Sequence, residues 1–252
     1  MSRNTPFINT FVHTKKTPFM QRVADLVRTG HTQYVIGQVA LKKAGYLAGK
    51  FSGTLSINED KVQAFRARKK GLPTARLLFL EAADPDLLHW ILLMQSGEQP
   101  DVSGQNWRDA LEDRIAITGY ELVRKTRPGA QGPAWTWRYT QASQNRLHDE
   151  IVAAIRHKDD AQLRQLIDSI RRSPGFAAVR DQVKELKNLI GKEWKRSRRS
   201  SEPLPVLPRH GYVRRIEDVG MRLNELISLR HKAGRGLKTS QSTGSVLSQG
   251  NW

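Results

Sequence analysis

An α+β fold is predicted for this 252-residue chain by three features of the sequence. Between residues 32 and 139, short apolar runs rich in β-branched and aromatic residues alternate with stretches of helical period. From Thr140 to Arg199 the apolar residues recur with helical spacing throughout. Breaker clusters separate these runs, notably Gly71-Leu72-Pro73, Asp84-Pro85 and the segment Arg127 to Pro133.

Residues 1–19 are polar, carry Pro6 and Pro18, and are expected to form a flexible arm. A short helix over 20–27 ends at Gly30. Thr32 to Leu41 is β-rich and reads as a strand. Helices follow over 42–50 and 59–70, the second with Asn58 as N-cap, Val62 and Phe65 inward, and Pro73 beyond its end. The runs 75–81 and 87–95 are continuously apolar, as in strands covered on both faces, and 83–86 between them is turn chemistry. Period alone leaves a helix open for 85–94. A short helix is expected over 107–115, then strands 120–126 and 134–139 joined by the long loop 127–133. The order strand, helix, strand, strand, helix, strand, strand fits a ferredoxin-like or RRM-like antiparallel sheet with an added hairpin strand, placed as a domain over 20–140. No run of residues matches the RRM consensus octamer.

A helical domain or layer is expected over 141–199. Leu147, Ile151 and Ile155 share one stripe, and Leu163, Leu166, Ile167 and Ile170 a second. Phe176, Val179, Val183, Leu186, Ile190 and Trp194 form a third, with Ser173-Pro174 as its N-terminal signal. Residues 200–210 read as a Pro-rich linker, 211–230 as a short helical segment, and 231–252, Gly/Ser-rich and basic, as a disordered tail.

The chain has 42 Lys+Arg against 24 Asp+Glu, a formal net charge of +18. Charge of one sign in blocks repels itself and calls for a polyanionic partner, of which nucleic acid is the commonest. Cysteine is absent, which excludes a disulfide scaffold, thiolate metal sites and a Cys nucleophile. No signal peptide or bilayer-length apolar run is visible, and the basic blocks carry few apolar residues for a membrane surface. A cytoplasmic protein without a membrane partner is expected.

The leading expectation is a non-enzymatic nucleic-acid-binding protein that grips phosphates electrostatically, with DNA placed slightly ahead of RNA. Its principal cations are Lys192, Lys195, Arg196, Arg198 and Arg199 at the end of the third helix. Cations there also suit the helix dipole, but five in eight residues exceed what a helix end needs. Arg214 and Arg215 follow the linker. In the hairpin, Trp135, Trp137 and Tyr139 share one strand face beside Arg124, Lys125, Arg127 and Arg138, as a base-stacking platform or as core. Arg66, Arg68, Lys69 and Lys70 form a further basic block.

Two other classes remain open. One is a structural subunit of a nucleoprotein assembly, with other protein subunits docked on the apolar helical faces and on Tyr212, Val213 and Ile216, and the charge lining a shared channel. The other is a Mg²⁺-dependent nuclease using Glu81, Asp84 and Asp86. The seven histidines show no metal-ligand spacing, and no Walker loop, nucleophile elbow or dinucleotide fingerprint occurs. Neither a resident metal nor a cofactor is expected.

Overall fold

The computed structural model describes residues 10–230 apart from 56, 58–61, 63–64, 67–68, 71–73, 96–104, 127–128, 130 and 219. It is a mixed α+β protein. The chain divides into two compact units, one made of residues 1–109 and 217–252 and the other of 110–216.

The first unit contains β1 (Phe11–His13), α1 (Lys16–Arg28), β2 (Gln33–Ala40), α2 (Leu41–Leu55), β3 (Ala75–Glu81), β4 (Leu87–Met94) and β5 (Arg108–Asp109). It is closed by β9 (Met221–Arg222) and by α6, residues 223–230. The strands form one sheet in the order β5-β2-β4-β3-β1-β9. β1 pairs parallel with β3, and every other pairing is antiparallel. This mixed sheet departs from the antiparallel ferredoxin-like order. The helices also lie on both of its faces. Val12, Phe79 and Trp90 point into a core with Ala44, Ala48 and Phe51 of α2 and Leu223 and Leu226 of α6. On the opposite face His13 meets Phe19 of α1 edge-on at 5.8 Å.

Local chemistry accounts for the tight places in this unit. Gly37 lies opposite Trp90 across β2 and β4. A Cβ at Gly37 would come within 3.0 Å of the indole, so glycine makes room for that ring. Gly220 has φ +82°, and a Cβ there would lie 2.3 Å from the Val12 carbonyl oxygen. Only glycine lets β9 approach β1 this closely. α1 begins inside the segment expected to be an arm, and β1 lies wholly within it. Their start carries no cue, since β1 has three residues and Lys15 at the N-cap makes no side-chain cap. The segment 107–115 is not a helix: Arg108–Asp109 pairs with β2, Gln33 donating to Asp109 at 2.8 Å, and turns follow. Residues 85–94 resolve as turn and strand. Residues 62, 65, 66 and 69 are helical, but Val62 and Phe65 are exposed rather than inward. Phe51, Leu55 and Ile57 already fill the adjoining core. Nothing in α6 begins before 223, because β9 takes the residues ahead of it.

The second unit contains β6 (Ala116–Ile117), β7 (Tyr120–Thr126), β8 (Pro133–Tyr139), α3 (Gln141–Arg156), α4 (Asp160–Arg171) and α5 (Ala177–Ser197). The hairpin therefore belongs to a separate sheet, ordered β6-β7-β8, and not to the first sheet. Thr140 caps α3 by accepting the Ser143 amide, and Asp159 caps α4 by accepting the Gln162 amide. Ser173 instead closes α4, donating to the Ile170 carbonyl at 2.6 Å, and Phe176 occupies the N-cap of α5. α3 packs on α4 and α5, and α5 packs on β8. Gln182 of α5 covers the outer edge of β8: its Oε1 accepts the Tyr139 amide at 2.7 Å and its Nε2 donates to the Tyr139 carbonyl at 3.2 Å.

Candidate nucleic-acid interface

The chain from 200 to 213 has no regular structure, yet it is pinned along its length and is not a loose linker. It runs back beside α5 as a strap. At the C-terminal end of α5, the Trp194 indole donates to the Glu202 carbonyl at 3.2 Å. Midway, the Lys187 ammonium donates to the Pro208 carbonyl. Ahead of α5, the Val213 amide donates to the Gly175 carbonyl at 3.0 Å. A Cβ on Gly175 would sit 2.1 Å from the Gly211 carbonyl oxygen, so glycine is required for this last approach. Three prolines, Pro203, Pro205 and Pro208, hold the strap extended and remove donors that a helix would need. Under it, Leu163, Ile167, Trp194, Pro203 and Val206 line a mainly apolar cavity of about 500 Å³, to which Asp160, Arg164 and Asp168 also contribute.

The five predicted cations at the end of α5 separate into two kinds. Arg198 is buried, its side chain 3 % exposed. Its guanidinium donates to the Ile155 carbonyl at 3.1 Å, to Glu202 at 3.0 Å and to Asp160 at 2.5 Å. Its plane lies 4.5 Å from the centre of the Trp194 ring. Each of its three nitrogens is engaged inside the protein and its side chain is buried, so Arg198 is removed from the phosphate-contacting set. Arg196 is exposed but pairs with Glu193 at 2.8 Å, a carboxylate that also takes Arg156 at 3.4 Å. Lys192, Lys195 and Arg199 are exposed and make no ion pair among the described residues.

The acids of this region are already engaged. Asp181 pairs with Lys125, Glu185 accepts from Gln144 at 3.0 Å, Glu193 takes two arginines, and Glu202 takes Arg198. The Arg198 hydrogen bond holds the Glu202 carboxyl below the usual carboxylate range. Lys184, on the same helix, is exposed and also lacks an ion pair among the described residues. The strap adds exposed Arg209, Arg214 and Arg215. Arg180 lies over the ring of Tyr212 at 3.7 Å. His210 is held below its ordinary pKa, first by burial and then by the positive charges of Lys187 and Arg180, with the Arg171 backbone opposing. These cations are spread along α5 and the strap beside it, an electropositive strip running from Arg180 and Tyr212 at one end to Lys195 and Arg199 at the other.

The hairpin aromatics are mostly core. Trp137 is completely buried and Tyr139 is 6 % exposed, stacked on Tyr120 at 4.9 Å. Neither presents a ring face to a base, which corrects their place in a stacking platform. Large rings on the sheet face lying against a helix are the natural core of so small a sheet. Trp135 is half-buried, with Arg124 5.8 Å above it. Lys125 is tied to Asp181, and Arg138 bonds Glu121 at 2.6 Å. Arg127 lies outside the described residues. In the first unit Arg66, Lys69 and Lys70 are exposed, while Arg68 and the tail from 231 lie outside the described residues. Asp84 accepts the Asp86 amide at 2.9 Å and so builds the β3–β4 turn. Among the described residues no group of three or more His, Asp or Glu side chains is placed to hold a metal ion, and no helix is long and apolar enough to cross a membrane.

The set of nucleic-acid-contacting residues expected from the sequence lacks Arg180, Lys184, Lys187, Arg209 and Tyr212. The usable signal was Gly175 in the junction Ser173-Pro174-Gly175, where the missing side chain admits the Gly211 carbonyl. No protein-family model, curated protein or solved structure matches this chain.

Proposed function

We propose that this chain is a non-enzymatic nucleic-acid-binding protein that grips phosphates through the α5 end and the strap. The observation that carries the reading is the charge imbalance there. Of the three acids of α5, Asp181 and Glu193 are paired with cations and Glu185 is held by an amide, while Lys184, Lys192, Lys195 and Arg199 have no ion pair among the described residues. Such a strip gains by exchanging condensed counterions on a polyanion for protein cations.

The test is binding of the full chain to matched single- and double-stranded DNA and RNA across a salt series. Each phosphate neutralised on a duplex contributes about −0.9 to the slope of log K against log salt. The triple variant K192E/K195E/R199E is expected to flatten that slope by about 3. Affinity indifferent to salt, or unchanged in the triple variant, refutes the assignment. A second reading, a subunit of a larger nucleoprotein assembly, draws on exposed Tyr46, Val62 and Phe65 in the first unit. It requires the isolated chain to bind every polyanion weakly and without regard to strandedness.

A further inference from the structure

The electropositive strip contains one aromatic ring whose placement differs from that of the hairpin aromatics. Tyr212 is 74 % exposed, although it lies in a segment fixed at both sides by Val213 and by the close contact of Gly211 with Gly175. One ring face is covered by the Arg180 guanidinium at 3.7 Å, and Arg180 is itself anchored, donating to the Gly175 carbonyl at 3.3 Å. The opposite ring face is left to solvent. An aromatic side chain loses little hydration on folding in this position, so burial does not explain it. Its backing by a fixed cation restricts the ring while leaving one flat face available.

We infer that Tyr212 is a stacking platform for a base of single-stranded nucleic acid, with the flanking strap and α5 cations tracking its backbone. This deepens the phosphate-binding reading and rests on it. Unpaired bases stack on exposed aromatic rings regardless of sequence, whereas the bases of a duplex are already stacked on one another. Cations alone would serve any polyanion. The exposed ring among them selects for strands whose bases are accessible. Arg209, Arg214 and Arg215 lie within three residues of Tyr212 along the strap. An extended chain rises about 3.1–3.4 Å per residue, so cations at this separation match successive phosphates of a single strand in scale.

The experiment compares oligothymidylate of about 16 nucleotides with an abasic oligophosphate of equal length and charge, and with a duplex, by fluorescence anisotropy on the full chain. The wild type is expected to bind the thymidylate about 5- to 10-fold more tightly than the abasic strand, the low end of what one stacked base contributes. Tyr212→Ala is expected to remove that preference and leave abasic binding unchanged, and Tyr212→Phe to keep it. Should Tyr212→Ala lower the melting temperature, Tyr212→Leu serves in its place, retaining an apolar contact with the Arg180 stem without a π face. Equal wild-type affinity for the two strands overturns the inference, as does a loss in Tyr212→Ala that is the same on both. Those results leave the phosphate-binding reading standing. Absence of salt-dependent binding to all three probes overturns both.

Discussion

Arg198 offers the sharpest separation of structural from binding charge. Replacing it with alanine removes one hydrogen bond to a buried carbonyl, two charge-assisted bonds, and a guanidinium packed on Trp194. The carbonyl bond is worth about 1 kcal/mol, and the cation–π contact about 1 kcal/mol more. The ion pairs must be discounted, because Asp160 and Glu202 are 52 % and 30 % exposed. An exposed partner such as Asp160 contributes about 0.5 kcal/mol. The expected loss is therefore about 2.5 kcal/mol, a fall in melting temperature on the order of 10–20 °C for a unit of this size. Thermal unfolding followed by near-ultraviolet circular dichroism measures it. Arg198→Lys keeps the charge but not the planar fork and is expected to recover less than half. Glu202 adds a pH signature. A carboxyl held below its ordinary pKa contributes stability above the ordinary range, and that contribution disappears as pH falls through its folded value. The deficit of Arg198→Ala relative to wild type should accordingly narrow in acid. A deficit under 1 kcal/mol, or full rescue by lysine, refutes the account.

Trp137→Ala is expected to cost about 3–5 kcal/mol, as for a large ring removed from a fully buried site, and denaturant titration reads the shift in midpoint. Gln182→Leu leaves the Tyr139 amide and carbonyl without their buried partner, a loss of about 2 kcal/mol, with faster hydrogen exchange at the Tyr139 amide as the local readout. His13 is held below its ordinary pKa by burial and by Arg22, with Asp218 opposing. The unfolded chain therefore takes up the proton first, and stability of the first unit should decline as pH falls through about 6.5. Replacing His13 by glutamine should reduce that slope in an unfolding series between pH 7.5 and about 5.5.

The elements most legible in the sequence were those with many turns or many apolar positions. The stripe from Val179 to Trp194 and the runs 75–81 and 87–94 each carry enough repeated contacts to overcome local ambiguity. The short elements were not legible. β1, β5 and β9 have two or three residues each, and their identity comes from partners far away in the chain. The same principle governed the site. Lys192, Lys195 and Arg199 were readable as a block, but Arg198, in the middle of it, turns inward because Ile155 and Asp160 supply acceptors from other helices. Trp137 and Tyr139 share the alternation of any aromatic strand, and only the helix lying against them decides that they are core. Tyr212 reads from the sequence only as a residue for docking a protein, since its ring setting depends on Arg180 and Gly175.

The strand β9 has a consequence for the making of the protein. Its residues, Met221 and Arg222, pair with Phe11 and Val12, so the first unit is completed by chain synthesised after the whole of the second. On the ribosome, β1 waits with one edge open while residues 110–216 are added, on the order of 10 s at ordinary elongation rates. An unpaired strand edge is an invitation to wrong partners during that interval. A β1 of only three residues offers them little to pair with. The brevity that hid this strand in the sequence also limits its hazard as a nascent chain.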